Sequence, residues 1–511
     1  MSASEQREEP EGPEGPEHAE RSVEAAAAAV ADREWRLVVG GRPRAASGGR
    51  TYDVECPATE TVIAAAPDAT EDDADAVVRA AEEAGPGWRA LDVRERGRRL
   101  RAFAEAVRAH ADELALLDAL DSGNPVTAMR TDVSWGAELL DLFADFASHL
   151  GGDTIPATPE NLHFTRRRPF GVVARIVPFN HPAMFAAGKV AAPLMAGNTV
   201  VLKPSEITPL SALRLAEIAG EVLPPGVVSV VTGGGPAASR ALVRHPLVRR
   251  IGFIGSEPVG RMIQRDAADS GVKEVSLELG GKNALIVLPD ADLEAAAAGI
   301  VGGMNFAWSG GQSCGSTSRV LLHASVADEV LGMVRDRIAA IRIGSPVAAA
   351  TQMGPLASRA QYEKSRRYTA IALEEGATLF LGGDRPRGPE FERGHYLQPT
   401  VFTGVRPGMR IAQEEVFGPV MSVLTYTDTD EAVEIANGVD YGLTASIWTR
   451  DVSAALSLAE RVEAGYVWIN GSSRHFWGVP FGGTKASGVG REESVEELLS
   501  YTELKAVNVF V

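Results

Sequence analysis

From about Phe170 onward, short runs of β-branched and apolar residues alternate with longer stretches of helical periodicity, the pattern of parallel strands joined by crossover helices. Strands are predicted over Gly171–Val177, Thr199–Lys203, Val227–Val231, Ile251–Gly255 and Val275–Leu279. Helices are predicted over Ala183–Met195, after Pro209 and near Pro258, with turns at Gly233-Gly234-Gly235-Pro236 and Gly280-Gly281. Repeated strand, turn and helix predict an α/β, doubly wound, Rossmann-like dinucleotide fold.

A second α/β set starts at Ala284–Leu288, passes Cys314 and the strand SRVLLH, and runs to the glycine-rich segment near Phe481. Ahead of both sets, Ala74–Leu120 is predicted helical. The polar stretch Asp153–Arg168 suits a hairpin, and the closing YTELKAVNVFV suits a strand. The resulting division is a disordered acidic tail (1–30), a dinucleotide-binding domain (31–146 and 170–280), a catalytic domain (281–483), and a small protruding oligomerisation element (147–169 and 484–511).

Charge sharpens the view of the N-terminus. The chain carries 50 Lys and Arg against 68 Asp and Glu, and its first 24 residues hold eight Glu and two Arg. So much Glu, Pro and Gly cannot bury enough apolar surface to order itself. An acidic chain repels nucleic-acid phosphate, and the basic run Arg166–Arg168 is short. No apolar run approaches the roughly 18 residues needed to span a bilayer, and no secretory pattern opens the chain. A soluble cytoplasmic protein is expected. Two cysteines, Cys56 and Cys314, are too few for a disulfide framework and lack Cys or His partners at metal-ligand spacing, so no metal is expected.

Cys314 sits in Gly310-Gly311-Gln312-Ser313-Cys314-Gly315, where small residues let a substrate approach the backbone and leave an amide N–H free. A thiolate there would attack a carbonyl carbon, although a lone Cys is more often an inert buried thiol. Glu278 ends a predicted strand, where open α/β sheets bind ligands, and could act as a general base. Asn180, between two prolines after another strand, is an ordinary turn residue or an amide donor to an oxyanion.

These residues fall in seven blocks: PFGVVARIVPFNHP, AGNTVVLKPSE, FIGS, LELGGKNALIV, GQSCGSTSR, EEVFGPV and PFGGTKASGVGRE. In this order they closely resemble the aldehyde dehydrogenase superfamily from about Trp35 to Val511. The resemblance implies that Cys314 is the nucleophile, Glu278 the general base and Asn180 the oxyanion donor, with NAD as hydride acceptor. It also places Ile176, Val177, Pro178, Phe179, Lys203, Ser205, Glu206, Gly235, Phe253, Ser256, Val259, Leu279, Gly280, Glu415 and Phe417 at the cofactor. A carboxylate at Glu206 suits a ribose 2′-OH and repels a 2′-phosphate, which favours NAD over NADP.

Four positions depart from the usual family pattern. Phe179 replaces a Trp, Ser309 an Asn five residues before the nucleophile, Ser313 a second Cys, and Ser239 a frequent Gly. None removes a catalytic group. The implied substrate entrance is lined by His181, Met184, Gly188, Ser313, Arg474, His475, Trp477 and Phe481. Gly188 stands where many members carry a large aromatic, which predicts a roomier tunnel and a bulky or aromatic aldehyde, with Arg474 placed to meet an acidic substituent. A homodimer or homotetramer is expected. The alternatives are a CoA-acylating relative, which usually lacks a base like Glu278, and a non-enzymatic binding protein on the same fold.

Overall fold

The computed structural model describes residues 22–510. Most of the predicted acidic tail therefore lies outside the described residues, but Val23–Ala31 is a helix where disorder was expected to residue 30. Ser22 accepts a hydrogen bond from the Ala25 N–H at 3.1 Å as its N-cap, and Val23, Ala26 and Val30 are buried. An alanine-rich run with an apolar stripe has both the propensity and the surface to fold once it meets a neighbour.

The first sheet has eight strands in the order 42–44, 37–39, 228–230, 199–203, 172–176, 248–255, 274–279, 488–489. Its five central strands are parallel. All five residues of Val172–Ile176 and of Thr199–Lys203 are buried, because both faces of the sheet are covered. Alternate side chains feed separate cores: Val173, Val200, Leu202 and Ile254 on one side, Val172, Ala174, Val201 and Phe253 on the other. Chain order reverses between Val172–Ile176 and Val248–Gly255, which opens a crevice beyond their carboxyl ends.

The predicted Ala183–Met195 helix is two shorter ones, Pro182–Gly188 and Ala191–Met195. The second sheet has seven strands in the order 378–381, 400–403, 420–426, 319–323, 284–287, 444–448, 466–469, parallel except at the first. A third sheet pairs Thr502–Phe510 with Asn161–Pro169 along nine residues, and Thr154–Ile155 adds to it.

One boundary differs from expectation. The segment 484–511 does not belong wholly to the protruding element, since Gly488 and Val489 pair with Glu278 and Leu277 at the edge of the first sheet. The closing chain thus passes beside the candidate base before it leaves the domain. Among the described residues no helix is long and apolar enough to cross a membrane, and no group of three or more His, Cys, Asp or Glu could hold a metal ion.

Candidate active site

Cys314 lies on the loop that follows the Leu293–Gly303 helix. The loop turns through left-handed residues Asn305 (φ 55°), Gly310 (φ 59°) and Gly311 (φ 74°), and a Cβ on Gly311 would collide with the Gly418 carbonyl. Asn283 fastens its far side: Nδ2 donates to the carbonyls of Cys314 (2.7 Å) and Ser316 (2.9 Å), while Oδ1 accepts from the Thr444 N–H (3.0 Å). Gln312 accepts from the Ala357 N–H (3.1 Å) and donates to the Ser309 carbonyl (2.9 Å). Asn283 was not singled out in the sequence, although it directly follows the Gly280-Gly281-Lys282 turn.

Two cavities meet at the sulfur. One, of about 410 Å³, is lined by Cys314, Glu278, Ser313, His181, Met184, Arg474, His475, Trp477 and Phe481, together with residues the sequence reading missed: Trp135, Phe185, Lys189, Ile254, Asn305, Trp308, Glu492 and Glu493. The other, of about 110 Å³, is lined by Pro178, Phe179, Asn180, Ser256, Gly280, Glu415 and Phe417, again with Cys314 and Glu278. Ile254 lines both, whereas Phe253, expected at the cofactor, faces the opposite core. Period-two alternation puts these two neighbours on opposite faces of the sheet. Ile176, Val177 and Leu279 also line neither cavity and pack in the cores.

Gly188 corrects the expectation of a roomier tunnel. It lines neither cavity, and a Cβ there would collide with Leu139 of the Val126–Asp145 helix. Its small size lets two helices approach closely. The cavity instead gets its walls from three tryptophans: Trp135 stacks on Trp308 (centroids 5.0 Å, planes 10° apart) and meets Trp477 edge-on at 6.4 Å. Trp308 holds φ 131°, a costly conformation for an aromatic residue, and its Nε1 donates to Asp132 at 3.2 Å.

Glu278 is buried and its Oε1 has no hydrogen-bond partner among the described residues. Burial, then the charge of Glu492, pushes its carboxyl up to about 8. The Cys314 thiol is pushed well above its ordinary range, first by burial and then by Glu278. Asn180 is buried, its carbonyl accepts from Asn124 Nδ2 at 2.9 Å, and its side-chain Oδ1 is unpartnered. Both unpartnered oxygens lie at the cavity that Cys314 lines, free to meet a donor from a bound group.

Behind Glu278 lies a buried ion cluster. Glu492 accepts from Lys189 (2.8 Å) and Arg175 (3.0 Å), and Lys189 stands 3.6 Å from Glu493. Burial raises the Glu492 carboxyl, but the two cations outweigh it and hold the group well below the usual range.

On the cofactor side, Lys203 is buried at the end of its strand, with Nζ 3.7 Å from the exposed Glu206. Burial lowers the Lys203 ammonium, and Glu206 opposes that shift. Ser205 caps the turn to Ile207, Gly235 precedes the Pro236–Arg244 helix, and Ser256 and Val259 sit at the start of the Glu257–Ser270 helix. A Cβ on Gly280 would collide with the Glu415 carboxylate, whose Oε1 accepts from the Gly281 N–H at 2.9 Å. Phe417, at φ 55°, meets Phe179 edge-on at 5.7 Å. Lys203, Glu206, Gly235, Ser256 and Gly280 follow the carboxyl ends of the parallel strands, and Ser256, Gly280, Glu415 and Phe417 line the smaller cavity; together they suit a pyridine dinucleotide, with an acid for a ribose, a helix N-terminus for phosphate and a narrow slot beside the thiol.

Fold and site define an α/β protein with a dinucleotide-type switch-point crevice and a thiol and a carboxyl group where two cavities meet. The comparisons narrow the class. Residues 44–507 match the family model described as the aldehyde dehydrogenase family. The chain is 46% identical over 460 residues to aldehyde dehydrogenase tropH of Talaromyces stipitatus, covering 89% of each. It is similar to the NAD-dependent aldehyde dehydrogenase of Sinorhizobium meliloti (TM-score 0.91, 38% identity, 94% of this chain and 95% of that one). It is also similar to a Bacillus cereus aldehyde dehydrogenase in its NAD+ complex (TM-score 0.91, 38% identity, 94% and 98%). The chain belongs to the aldehyde dehydrogenase family, and its activity is pyridine-nucleotide-dependent oxidation of an aldehyde.

Proposed function

We propose that the chain oxidises a bulky, aromatic aldehyde to its carboxylic acid with NAD, through a thioester on Cys314. The observation that carries this reading is the meeting of two cavities at Cys314 and Glu278, one aromatic and the other suited to a nicotinamide. Cys314 Sγ adds to the aldehyde carbon, and its proton passes to the Glu278 carboxylate, which returns it to solvent before hydrolysis. Asn180 Nδ2 and the Cys314 N–H hold the oxyanion. Collapse of the oxyanion expels the hydrogen of the substrate carbon as hydride, which bound NAD would accept, and leaves the thioester. Glu278, as carboxylate, then takes a proton from water, which attacks the thioester, releases the acid and restores the thiol.

Flat rings suit the large cavity because the tryptophans, Phe481 and His475 offer faces and edges to stack on, each such contact being worth roughly 0.5–1.5 kcal/mol. Benzaldehyde is expected to exceed acetaldehyde in kcat/KM by at least about tenfold, about 1.4 kcal/mol. A matched series of aliphatic, aromatic and cationic aldehydes tests this, and an aliphatic or cationic optimum by the same margin overturns it.

For the nucleotide, Glu206 stands ready to accept from a ribose 2′-OH and would repel a 2′-phosphate. Glu206→Gln is expected to shift the NADP-to-NAD ratio of kcat/KM upward by roughly tenfold, the scale of one exposed charge at close range. A wild-type preference for NADP would refute the assignment. Subunit pairing is proposed through the third sheet, which exposes Leu162, Leu504, Val509 and Phe510. A cytoplasmic location fits a thiol-dependent enzyme.

A further inference from the structure

The large cavity is aromatic, yet its charged groups are not balanced. Asp132 is fully buried beneath the wall and holds two lining residues at once: it accepts from His181 Nδ1 at 2.8 Å and from Trp308 Nε1 at 3.2 Å. With Nδ1–H committed to the carboxylate, Nε2 is the polar atom His181 has left, and among the described residues nothing in the protein bonds to it. Burial opposes protonation of this imidazole, but the Asp132 charge outweighs it and raises its affinity for a proton. The Asp132 contact fixes the ring so that Nε2 is presented to a largely apolar cavity, where the protonated ring would offer an N–H to an acceptor.

Arg474 lines the same cavity near its exposed mouth. Its guanidinium lies 5.1 Å from the Phe476 ring centre, and among the described residues no carboxylate pairs with it. The carboxylates of this cavity are all engaged or neutralised. Glu492 is held by Lys189 and Arg175, Glu493 accepts from His475 Nδ1 at 2.8 Å, and Asp132 serves His181 and Trp308. Glu278 has its carboxyl raised to about 8 and is mostly protonated at neutral pH. Among the described lining residues Arg474 is thus the cation with no carboxylate partner, and His181 keeps a free Nε2.

We infer that His181, positioned by Asp132, and Arg474 read a negatively charged oxygen on the substrate, so that the preferred aldehydes are ring aldehydes carrying a carboxylate or an ionised hydroxyl. This rests on the aromatic reading above and adds the chemistry of the ring's substituent. Asp132 is a positioning residue here: it sets the imidazole's orientation and charge and ties the same wall to Trp308, without touching the ligand.

The experiment compares kcat/KM, with NAD, for 4-formylbenzoate, its neutral methyl ester, 4-hydroxybenzaldehyde and benzaldehyde. Wild type is expected to favour 4-formylbenzoate over the ester at least tenfold, chiefly through KM. His181→Phe, which keeps a flat ring and removes the donor, and Arg474→Gln should each cut that ratio at least threefold. Asp132→Asn should cut it too, whereas a merely structural role would lower both substrates together and leave the ratio unmoved. Preference for 4-hydroxybenzaldehyde over benzaldehyde instead, lost in His181→Phe, identifies an ionised hydroxyl as the oxygen. Neutral substrates equal to or better than both anions, or a ratio unchanged in His181→Phe, overturn the inference. Because formylbenzoate and its ester are both aromatic, that failure is distinct from acetaldehyde outrunning benzaldehyde, which would refute the aromatic reading itself.

Discussion

Cys314→Ala is expected to lower aldehyde oxidation by about 10⁴-fold or more while the protein still binds NAD. Covalent catalysis divides the reaction into two accessible steps, and without the sulfur neither the hemiacetal carbon nor the thioester exists. A 10⁴-fold loss corresponds to about 5.4 kcal/mol of transition-state stabilisation. The loop should survive, because the groups that hold it bond to its backbone: Asn283 meets the Cys314 and Ser316 carbonyls, and Gln312 bridges Ser309 and Ala357. The Lys203–Glu206 end of the crevice is on a different strand and should keep its affinity. Initial-rate assays and quenching of protein fluorescence by NADH check the two halves separately. Turnover within tenfold of wild type would remove Cys314 from the mechanism, and loss of nucleotide binding would show that the substitution disturbed more than the thiol.

How far the site was legible in the sequence depended on how local its causes are. Thr199–Lys203 was found with its bounds intact, since an apolar β-branched run between Gly197-Asn198 and Pro204 carries its own start and stop. The trio Cys314, Glu278 and Asn180 was singled out because each ends or follows a strand or lies in a small-residue turn, where ligands collect in open sheets, and the three line one cavity. Facing direction was harder. Ile254 lines both cavities yet was not singled out, because in a strand buried on both sides hydropathy cannot say which side chain faces a cavity. Gly188 was misread for a related reason: a missing side chain marks either an open space or a close neighbour, and Leu139, 49 positions earlier, is a neighbour that only the tertiary fold supplies. The same is true of Trp135, Asp132 and Glu493, whose roles arise from helices and a returning chain that meet at the cavity.

Glu278→Gln should separate the two halves of the reaction. Hydride leaves before water is needed, so the variant is expected to release close to one equivalent of NADH per subunit in a burst and then turn over roughly 10³-fold more slowly, within the range for loss of a general base. The acyl group should remain on Cys314 and be visible as a mass increase on the intact protein. Protonation gives an independent handle. Burial and the Glu492 charge raise the Glu278 carboxyl to about 8, so the basic form is the minority at neutral pH and grows tenfold per pH unit below that value. Where hydrolysis limits turnover, wild-type kcat should therefore rise with pH and level off above about 8, and the Glu278→Gln variant should lose that inflection. The neighbouring Glu492 tunes the same group through space: removing its charge, as in Glu492→Gln, relieves the repulsion that disfavours the Glu278 carboxylate and should move the inflection to lower pH. The ion cluster opposes an excessive shift, because Lys189 lowers Glu278 while Glu492 raises it. A missing burst, with NADH formation slowed in proportion to turnover, would mean that Glu278 is needed chiefly at or before hydride transfer, and a pH profile unchanged in the variant would assign the inflection to another group.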